Sequence, residues 1–375
     1  MSSEARATGG LGAVFKRSPP RRQRWGRRPP YRSSQPDGGE AVSGAVYAAL
    51  DLGTNNCRLL VARPTQDNFR VVDAFSRIIR LGEGLTLSGR ISDAAIERAV
   101  GALSVCRDKM RLRGVNRARL IATEACRAAE NGEYFRTRIA EEVGLELEIV
   151  DRETEAGLAA TGCAPLVAPD ADGVILFDIG GGSSELVRLG NVETNGSGPA
   201  SAEIKAWVSL PIGVVTLAER HGGVSVTPTI YEAMVQEVAI QVAPFAEAEG
   251  GVDLERIHLL GTSGTVTTIA GVHLQLPRYD RRRVDGAWLS CGQISEVTER
   301  LLAMAYEDRV ANPCIGAERA DLVLAGCAIL EAIRRAFPCT RLRVADRGLR
   351  EGMLVQMMRE DGVWDGHSDA SPATP

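Results

Sequence analysis

The chain has 375 residues, 44% of them hydrophobic and 25% charged, which is enough for two ordinary domains with real cores and unlike a fibrous or disordered protein. A formal net charge of −4 argues against a molecule built around nucleic-acid binding, and no apolar run approaches the ~18 residues of a membrane span. Lys16, Lys109 and Lys205 are the only lysines, so nearly all the basic charge is arginine, whose planar fork grips phosphate bidentately.

The cysteines (Cys57, Cys106, Cys126, Cys163, Cys291, Cys314, Cys327 and Cys339) form no Cys-x-x-Cys pair and read as reduced core residues of a cytoplasmic protein. Residues 1–44 carry nine basic residues against Glu4, Asp37 and Glu40, a net +6 that leaves −10 for the rest. This segment is rich in Arg, Pro, Gly and Ser without apolar period, so it is expected to be a disordered tail. Its arginines are not followed by an apolar stretch, so no secretion signal is expected.

Order is expected from Val46. VYAALDLGTNNCRLLVARP reads as strand, glycine turn, strand, followed by FRVVDAFSRIIRL and a turn at Gly82 and Gly84. Residues 92–113 predict a helix capped by Ser92, with Ile96, Val100 and Leu103 on one face and Gly114 as its stop. A short strand at Arg119–Thr123, a helix over 133–143, a strand at 145–151 and a helix over 153–161 complete the first half. The second half opens on the apolar strand VILFDI (174–179), the turn GGGSS and the strand ELVRL. Thr227-Pro228 starts a helix with Ile230, Met234, Val238 and Val242 on its apolar face. IHLLGTSGTVTTIAG reads as strand, glycine loop, helix, and the remainder to about 360 as mainly helical, broken by a strand at 342–346.

Alternating strands and helices imply an α/β fold. Asp51-Leu-Gly-Thr and Asp178-Ile-Gly-Gly hold the same place in the two halves, which points to two related lobes facing one another.

Three glycine turns follow apolar strands: Gly53, Thr54, Asn55; Gly180, Gly181, Gly182, Ser183; and Gly261, Ser263, Gly264, Thr265. Glycine lets the backbone approach a ligand and turn its N–H groups on to an anion. Any one turn alone is as readily an ordinary tight turn. Three together, two with an Asp immediately ahead, form a pattern for a phosphate chain with Mg²⁺. Asp51 and Asp178 are then the candidate metal carboxylates, against the alternative that each caps its own turn. Glu153 and Glu155 open a helix between the halves; either activates water in a cleft or complements the helix dipole, and spacing alone favours the dipole. Arg127 either clamps phosphate or pairs with Glu124 or Glu130. Arg278, Arg281, Arg282 and Arg283 form a basic run that is either solvated surface or a guide for a polyanion. The four histidines show no metal spacing.

ALDLGTNNCRLLV, ATEACRAAEN, FDIGGGSSELV, SLPIGVVTL, GTSGTVTT, ERADLVLAG and ADRGLREG occur in that order. Together they resemble the exopolyphosphatase / guanosine pentaphosphate phosphohydrolase (Ppx/GppA) family over about residues 45–358. The resemblance implies the two-lobed actin, sugar-kinase and heat-shock-ATPase (ribonuclease H-like) fold, with the site in the interlobe cleft. It implies an N-terminal lobe at 45–155 joined by the C-terminal helix at about 347–360, a C-terminal lobe at 156–346, and a disordered tail at 361–375. It also implies release of terminal phosphate from inorganic polyphosphate or guanosine pentaphosphate (pppGpp) with Mg²⁺, Mn²⁺ being left open. By position, Glu155 corresponds to the base that activates water and Glu185 to a second catalytic glutamate. Asp51, Asp178 and Arg127 fall on the metal and phosphate positions. Many members carry Val-His-Gly where this chain has Val284-Asp285-Gly286, placing an acid on an expected anion path. Longer members add a C-terminal helical domain that grips long polymers and builds a dimer; this chain reads as the short form, with a homodimer left open. No membrane or specific nucleic-acid partner is expected. Competing readings are a kinase or ATPase of the same superfamily, a non-catalytic polyphosphate or alarmone sensor, and an RNA tether centred on the basic tail.

Overall fold

Each half opens on an apolar run that is buried almost throughout, Tyr47–Leu52 and Gly173–Ile179, the signature of a strand covered on both faces. The computed structural model describes residues 44–193, 198–250 and 253–365. The expected tail at 1–44, Gly44 apart, lies outside the described residues.

The first sheet consists of β1 (Tyr47–Leu52), β2 (Asn56–Pro64), β3 (Phe69–Ile78), β4 (Arg117–Ala122) and β5 (Glu148–Ile149), in the order β3-β2-β1-β4-β5. The second contains β6 (Gly173–Ile179), β7 (Ser184–Glu193), β8 (Ser201–Leu210), β9 (Ile257–Thr262), β10 (Trp288–Ser290) and β11 (Arg341–Val344), in the order β10-β11-β9-β6-β7-β8. Setting β10 aside, the second order maps strand for strand on to the first. In both, the opening strand pairs antiparallel with its hairpin partner and parallel with the strand on its other side.

The helices of the first lobe are α1 (Leu85–Ser88), α2 (Asp93–Leu112), α3 (Glu124–Ala128) and α4 (Gly132–Val143). Ser92 caps α2 by accepting the Ala95 N–H at 3.3 Å. Ile96, Leu103, Phe135 and Ile139 on α2 and α4 are fully buried with Leu50, Leu52 and Leu59 on one face of the sheet. The chain then crosses to the second lobe through α5 (Arg152–Cys163), whose cap Asp151 accepts the Thr154 N–H at 2.7 Å. The second lobe adds α6 (Val214–His221), α7 (Pro228–Ala248), α8 (Ser263–His273), α9 (Arg281–Val284), α10 (Cys291–Ala303), α11 (Tyr306–Ala311) and α12 (Val323–Ala336). Met234, Val238 and Val242 of α7 are buried as their spacing predicts. The chain ends in α13 (Leu349–Glu360), which packs Met353, Leu354 and Met357 on the free face of the first sheet. Ala156, Ala160 and Cys163 of α5 cover the second sheet.

These two connecting helices meet almost backbone to backbone. A Cβ on Gly352 would lie 2.0 Å from the Leu158 carbonyl oxygen, and one on Gly162 1.9 Å from that of Gly348. Only glycine permits so close an approach.

Several elements differ from the sequence reading. In LELEIVD only Glu148 and Ile149 join a ladder. Leu145 and Leu147 are buried without one, because apolar alternation reports burial and not pairing. β8 is not apparent in the sequence because most of it is exposed or half-buried. No glycine loop separates β9 from α8: the strand enters the helix directly at Ser263, which takes φ +84°. The expected start of a tail at 361 is corrected, since residues 361–365 continue against the first lobe. Trp364 is buried there and donates Nε1–H to the Thr65 carbonyl at 3.0 Å, while the Tyr47 hydroxyl donates to Asp361 at 2.7 Å. Residues 366–375 lie outside the described residues.

Candidate active site

The two hairpins deliver matched positions to the cleft. Asp51 on β1 stands directly opposite Arg58 on β2, and Asp178 on β6 directly opposite Glu185 on β7. Opposed residues on an antiparallel pair share a face. Thr262, the last residue of β9, lies beside Asp178 on its other side, so the N-terminus of α8 reaches the same place.

The turns after the hairpin strands meet across the cleft. A Cβ on Gly181 would lie 2.8 Å from Thr54 Cβ, and one on Gly182 2.9 Å from Thr54 Oγ1 and 3.1 Å from Glu124 Cγ. Gly82 closes the third side, where a Cβ would meet Thr54 Cγ2 at 2.3 Å. Thr54 is thus enclosed by three glycines. Gly53 donates its N–H to the Asn56 carbonyl and Gly180 to that of Ser183, both at 2.9 Å, so each turn is closed by the same bond. Thr54, Asn55 and Ser183 are buried, and Asn55 Oδ1 has no hydrogen-bond partner among the described residues.

The third candidate turn is less uniform. Gly261 lies within β9, where a Cβ would meet the Phe177 ring at 2.6 Å, so the glycine is required by packing. Ser263 donates its hydroxyl to the Ile179 carbonyl. Thr265 is buried against Gly326 of α12. Gly264 is more open, with an Arg319 guanidinium nitrogen 3.7 Å from its Cβ position.

Carboxylates gather on the cleft floor. Burial raises the pKa of Asp51, with Arg58 and Arg350 working against it. Burial and then the Asp51 charge push Asp178 up to about 6. Burial and then Asp178 push Glu185 up to about 7, although Ser209 donates to it at 2.8 Å. Glu155 is raised well above the usual carboxylate range by burial and by Glu185, with Arg127 opposing. Its neighbour Glu153 is exposed, because residues two apart on a helix face opposite ways.

Arg127 donates Nε–H to Glu124 at 3.0 Å, Nη2–H to Glu124 at 2.6 Å and to Glu155 at 3.1 Å, and Nη1–H to the Val150 carbonyl at 2.6 Å. Of its five N–H groups, one on Nη1 is left uncommitted. Arg127 therefore orients Glu155 in this structure, and its pairing with Glu124 is one of the two alternatives read from the sequence. Buried Glu124 also accepts from Arg152 at 3.0 Å.

Asp285 does not stand as a free acid on an anion path. It accepts the Asp346 N–H at 3.0 Å and pairs with Arg347 at 2.6 Å. Burial works against its charge, but Arg347 outweighs it and holds the carboxyl below its ordinary range. Within the basic run, Arg281 is committed to Asp346 and Glu351, whereas Arg278, Arg282 and Arg283 are exposed.

Two arginines not singled out by the sequence reading stand nearest the metal candidates. The side chains of Arg58 and Arg350 bear on both Asp51 and Asp178, yet neither makes a hydrogen bond or ion pair among the described residues. The signal for Arg58 is the repeat itself: it follows Asp51 at the interval by which Glu185 follows Asp178. Arg350 lies in ADRGLREG.

The donor set fits Mg²⁺. Asp51 and Asp178 approach from opposite lobes, and their raised pKa values mark buried negative charge in need of a cation. Among the described residues no three His, Cys, Asp or Glu side chains converge into a closed cage. Mg²⁺ is commonly held in just this way, by one or two carboxylates with water and substrate phosphate.

Comparison with known proteins agrees with this geometry. Residues 60–361 match the Ppx/GppA phosphatase family. Exopolyphosphatase 2 of Mycobacterium tuberculosis is 27% identical over 333 residues, covering 83% of this chain and 98% of that protein. The crystal structure of the Aquifex aeolicus Ppx/GppA family member matches with 28% identity and a TM-score of 0.69, over 86% of this chain and 99% of that one. An exopolyphosphatase from Cytophaga hutchinsonii matches with 25% identity and a TM-score of 0.75, over 84% and 98%. The chain has the two-lobed actin-like fold of these proteins, belongs to the Ppx/GppA phosphatase family, and is a hydrolase of phosphoanhydride bonds.

Proposed function

We propose that the cleft removes the terminal phosphate of inorganic polyphosphate with Mg²⁺, and that Glu155 takes the proton of the attacking water. The observation that carries the substrate class is the pair Arg58 and Arg350. Two guanidinium groups that act on Asp51 and Asp178, yet have no hydrogen-bond or ion-pair partner among the described residues, offer more donors than one phosphate requires, which suits a chain of repeating phosphates. The exopolyphosphatase name of the Mycobacterium tuberculosis relative supports the same reading.

In this mechanism Thr54 and Asn55, Gly181 and Gly182, and the start of α8 present N–H groups to the terminal phosphates. Asp51 and Asp178 would hold Mg²⁺, which when bound would supply charge neutralisation to phosphate. Arg127 fixes the Glu155 carboxylate through Nη2, and burial followed by the Glu185 charge raises the Glu155 pKa, which strengthens it as a base. Contact between the Thr54 and Gly181 turns excludes bulk water from the transfer. All eight cysteines are free and seven are buried, which supports a reducing compartment such as the cytoplasm.

The test is phosphate release with Mg²⁺ from long polyphosphate, short polyphosphate, guanosine pentaphosphate and ATP, side by side, with Glu155→Gln as control. Loss of a general base lowers turnover by about 10²–10⁴-fold. The proposal expects release from polyphosphate, its abolition by a chelator, and a loss of that size in the control with polyphosphate still bound. Preference for guanosine pentaphosphate would move the same site to alarmone hydrolysis. Undiminished turnover in Glu155→Gln would remove Glu155 as the base.

A further inference from the structure

The cleft between the lobes is bridged at its outer edge. Arg80, in the loop after β3, donates Nη1–H to Asp321 Oδ2 at 2.9 Å and Nη2–H to Asp321 Oδ1 at 3.0 Å, with a further bond from Nη2 to the Glu318 carbonyl at 3.3 Å. Close by, the Gly84 N–H donates to Glu219 of α6 at 2.8 Å, also from lobe to lobe. We propose that Arg80 and Asp321 are positioning residues for hydrolysis: their two-pronged ion pair clasps the lobes shut and sets the Thr54–Asn55 turn against Gly181 and Gly182.

Each half of the clasp sits on a loop held rigid by an arginine of its own. In the first lobe, Arg98 donates to the Ile79 carbonyl at 2.7 Å and to the Arg80 carbonyl at 3.1 Å. In the second, Arg309 is 2% exposed and pairs with no carboxylate among the described residues. It donates instead to the carbonyls of Gly223 and Ala320, both at 3.2 Å, and to that of Val224. Gly223 packs on the Asp321 backbone so closely that a Cβ would lie 1.8 Å from the Asp321 carbonyl oxygen. Arg80 itself has φ +46°, a left-handed conformation that costs a non-glycine residue free energy and persists only where the surroundings impose it.

The loop that carries Arg80 is also the support of the first glycine turn. The N–H groups of Ile79 and Arg80 both donate to the Asn55 carbonyl, at 2.9 and 3.1 Å, and the Gly82 N–H donates to the Thr54 carbonyl at 2.9 Å. A pull on Arg80 is therefore transmitted through three backbone hydrogen bonds to the residues that face Gly181 and Gly182.

Leverage favours the same role. β3 and β5 are the two edges of the first sheet, and the chain leaves for the second lobe just after β5. Four strand spacings separate them, about 19 Å at ~4.8 Å each. A clasp on the edge away from that crossover resists opening with the longer arm.

The proposal rests on hydrolysis in this cleft for its kinetic test but not for its structural one. Arg80→Ala, Asp321→Ala, the double variant and Arg80→Lys are compared by phosphate release from polyphosphate, by small-angle scattering of the free protein, and by thermal unfolding. Each single variant is expected to lower kcat/KM about tenfold and to enlarge the radius of gyration, with Tm little changed because both side chains are partly exposed. The double variant should be no worse than either single, and Arg80→Lys should recover part of the loss through one prong. Single variants with wild-type kcat/KM and radius, or a double variant whose loss is the product of the two singles, would overturn the proposal. A wild-type protein inactive on every phosphoanhydride, with the radius still responding to Arg80→Ala, would remove the polyphosphate reading and leave the clasp standing.

Discussion

Gly181→Ala gives the sharpest test of the closed cleft as the working state. The added methyl would lie 2.8 Å from Thr54 Cβ, whereas ordinary contact begins near 3.4 Å, so the facing turns must separate by about 0.6 Å. Thr54 cannot turn away, because the nearest atom is its own Cβ and because Gly82 fills the other side of its side chain. Gly181 does not have positive φ, so the alanine brings no backbone strain. The clash falls between lobes and not within either core, so parting the lobes relieves it at little cost to folding. Misplacing reacting groups by about 1 Å costs on the order of 10²-fold in rate, so this smaller shift should lower kcat about tenfold to hundredfold. Phosphate release and a thermal melt on the same preparation check both halves. A variant with wild-type turnover would show that hydrolysis does not need this contact. A variant that loses activity only because it unfolds would show that the contact belongs to the core.

Two further outcomes follow from charges in unusual settings. Burial pulls the Arg350 pKa below its ordinary value, outweighing nearby Glu351 and Asp51, so burying this cation costs more than those acids return. Arg350→Met should leave Tm unchanged or higher while raising KM for long polyphosphate about tenfold or more, since a charged hydrogen bond to phosphate contributes about 1.5–3 kcal/mol; a fall in Tm with unchanged KM would contradict this. His258 is fully buried, accepts the Ala168 N–H on Nε2 at 3.1 Å and lies edge-on to Trp288 at 4.8 Å. Burial depresses its pKa to about 4, so the native state excludes a proton that the unfolded chain takes up near 6.5. Stability is therefore full above about pH 6.5 and is lost as pH falls towards 4, by about 2 kcal/mol between pH 7 and pH 5. Urea unfolding at the two pH values should show a decline that shrinks in His258→Gln; an equal decline in both proteins would place the acid sensitivity elsewhere.

The chain's regular signals were legible where one local cause dominates. Ser92 and Thr227 each cap the helix that follows by accepting a backbone N–H. The apolar runs of β1 and β6 announce strands covered on both faces, and the two Asp-x-Gly turns announce two lobes. What the sequence hid depends on contacts distant in the chain. Gly261 looks like a phosphate turn because it follows a strand and precedes a helix, but the Phe177 ring that requires it is 84 positions away. Arg80 sits in a loop with no motif of its own and Asp321 within ERADLVLAG, 241 positions away, and only the folded lobes bring them together.

The repeated hairpin shows most directly how the site departs from its own symmetry. Both copies place an Asp at the end of the first strand, close the turn with the same backbone bond, and put one residue directly opposite the Asp. In the first lobe that residue is Arg58, and in the second it is Glu185. Had both been arginine, the two aspartates would be neutralised by the protein and have little need of a metal. Had both been glutamate, Asp51, Asp178, Glu155 and the two glutamates would crowd the floor, with Arg350 alone to draw a polyanion to it. One of each leaves an acidic side, where burial and then Glu185 raise the Glu155 pKa, and a basic side formed by Arg58 with Arg350. On the proposed mechanism an incoming phosphate chain meets both at once, and the symmetry-breaking pair separates the end where water is activated from the side where the chain is held.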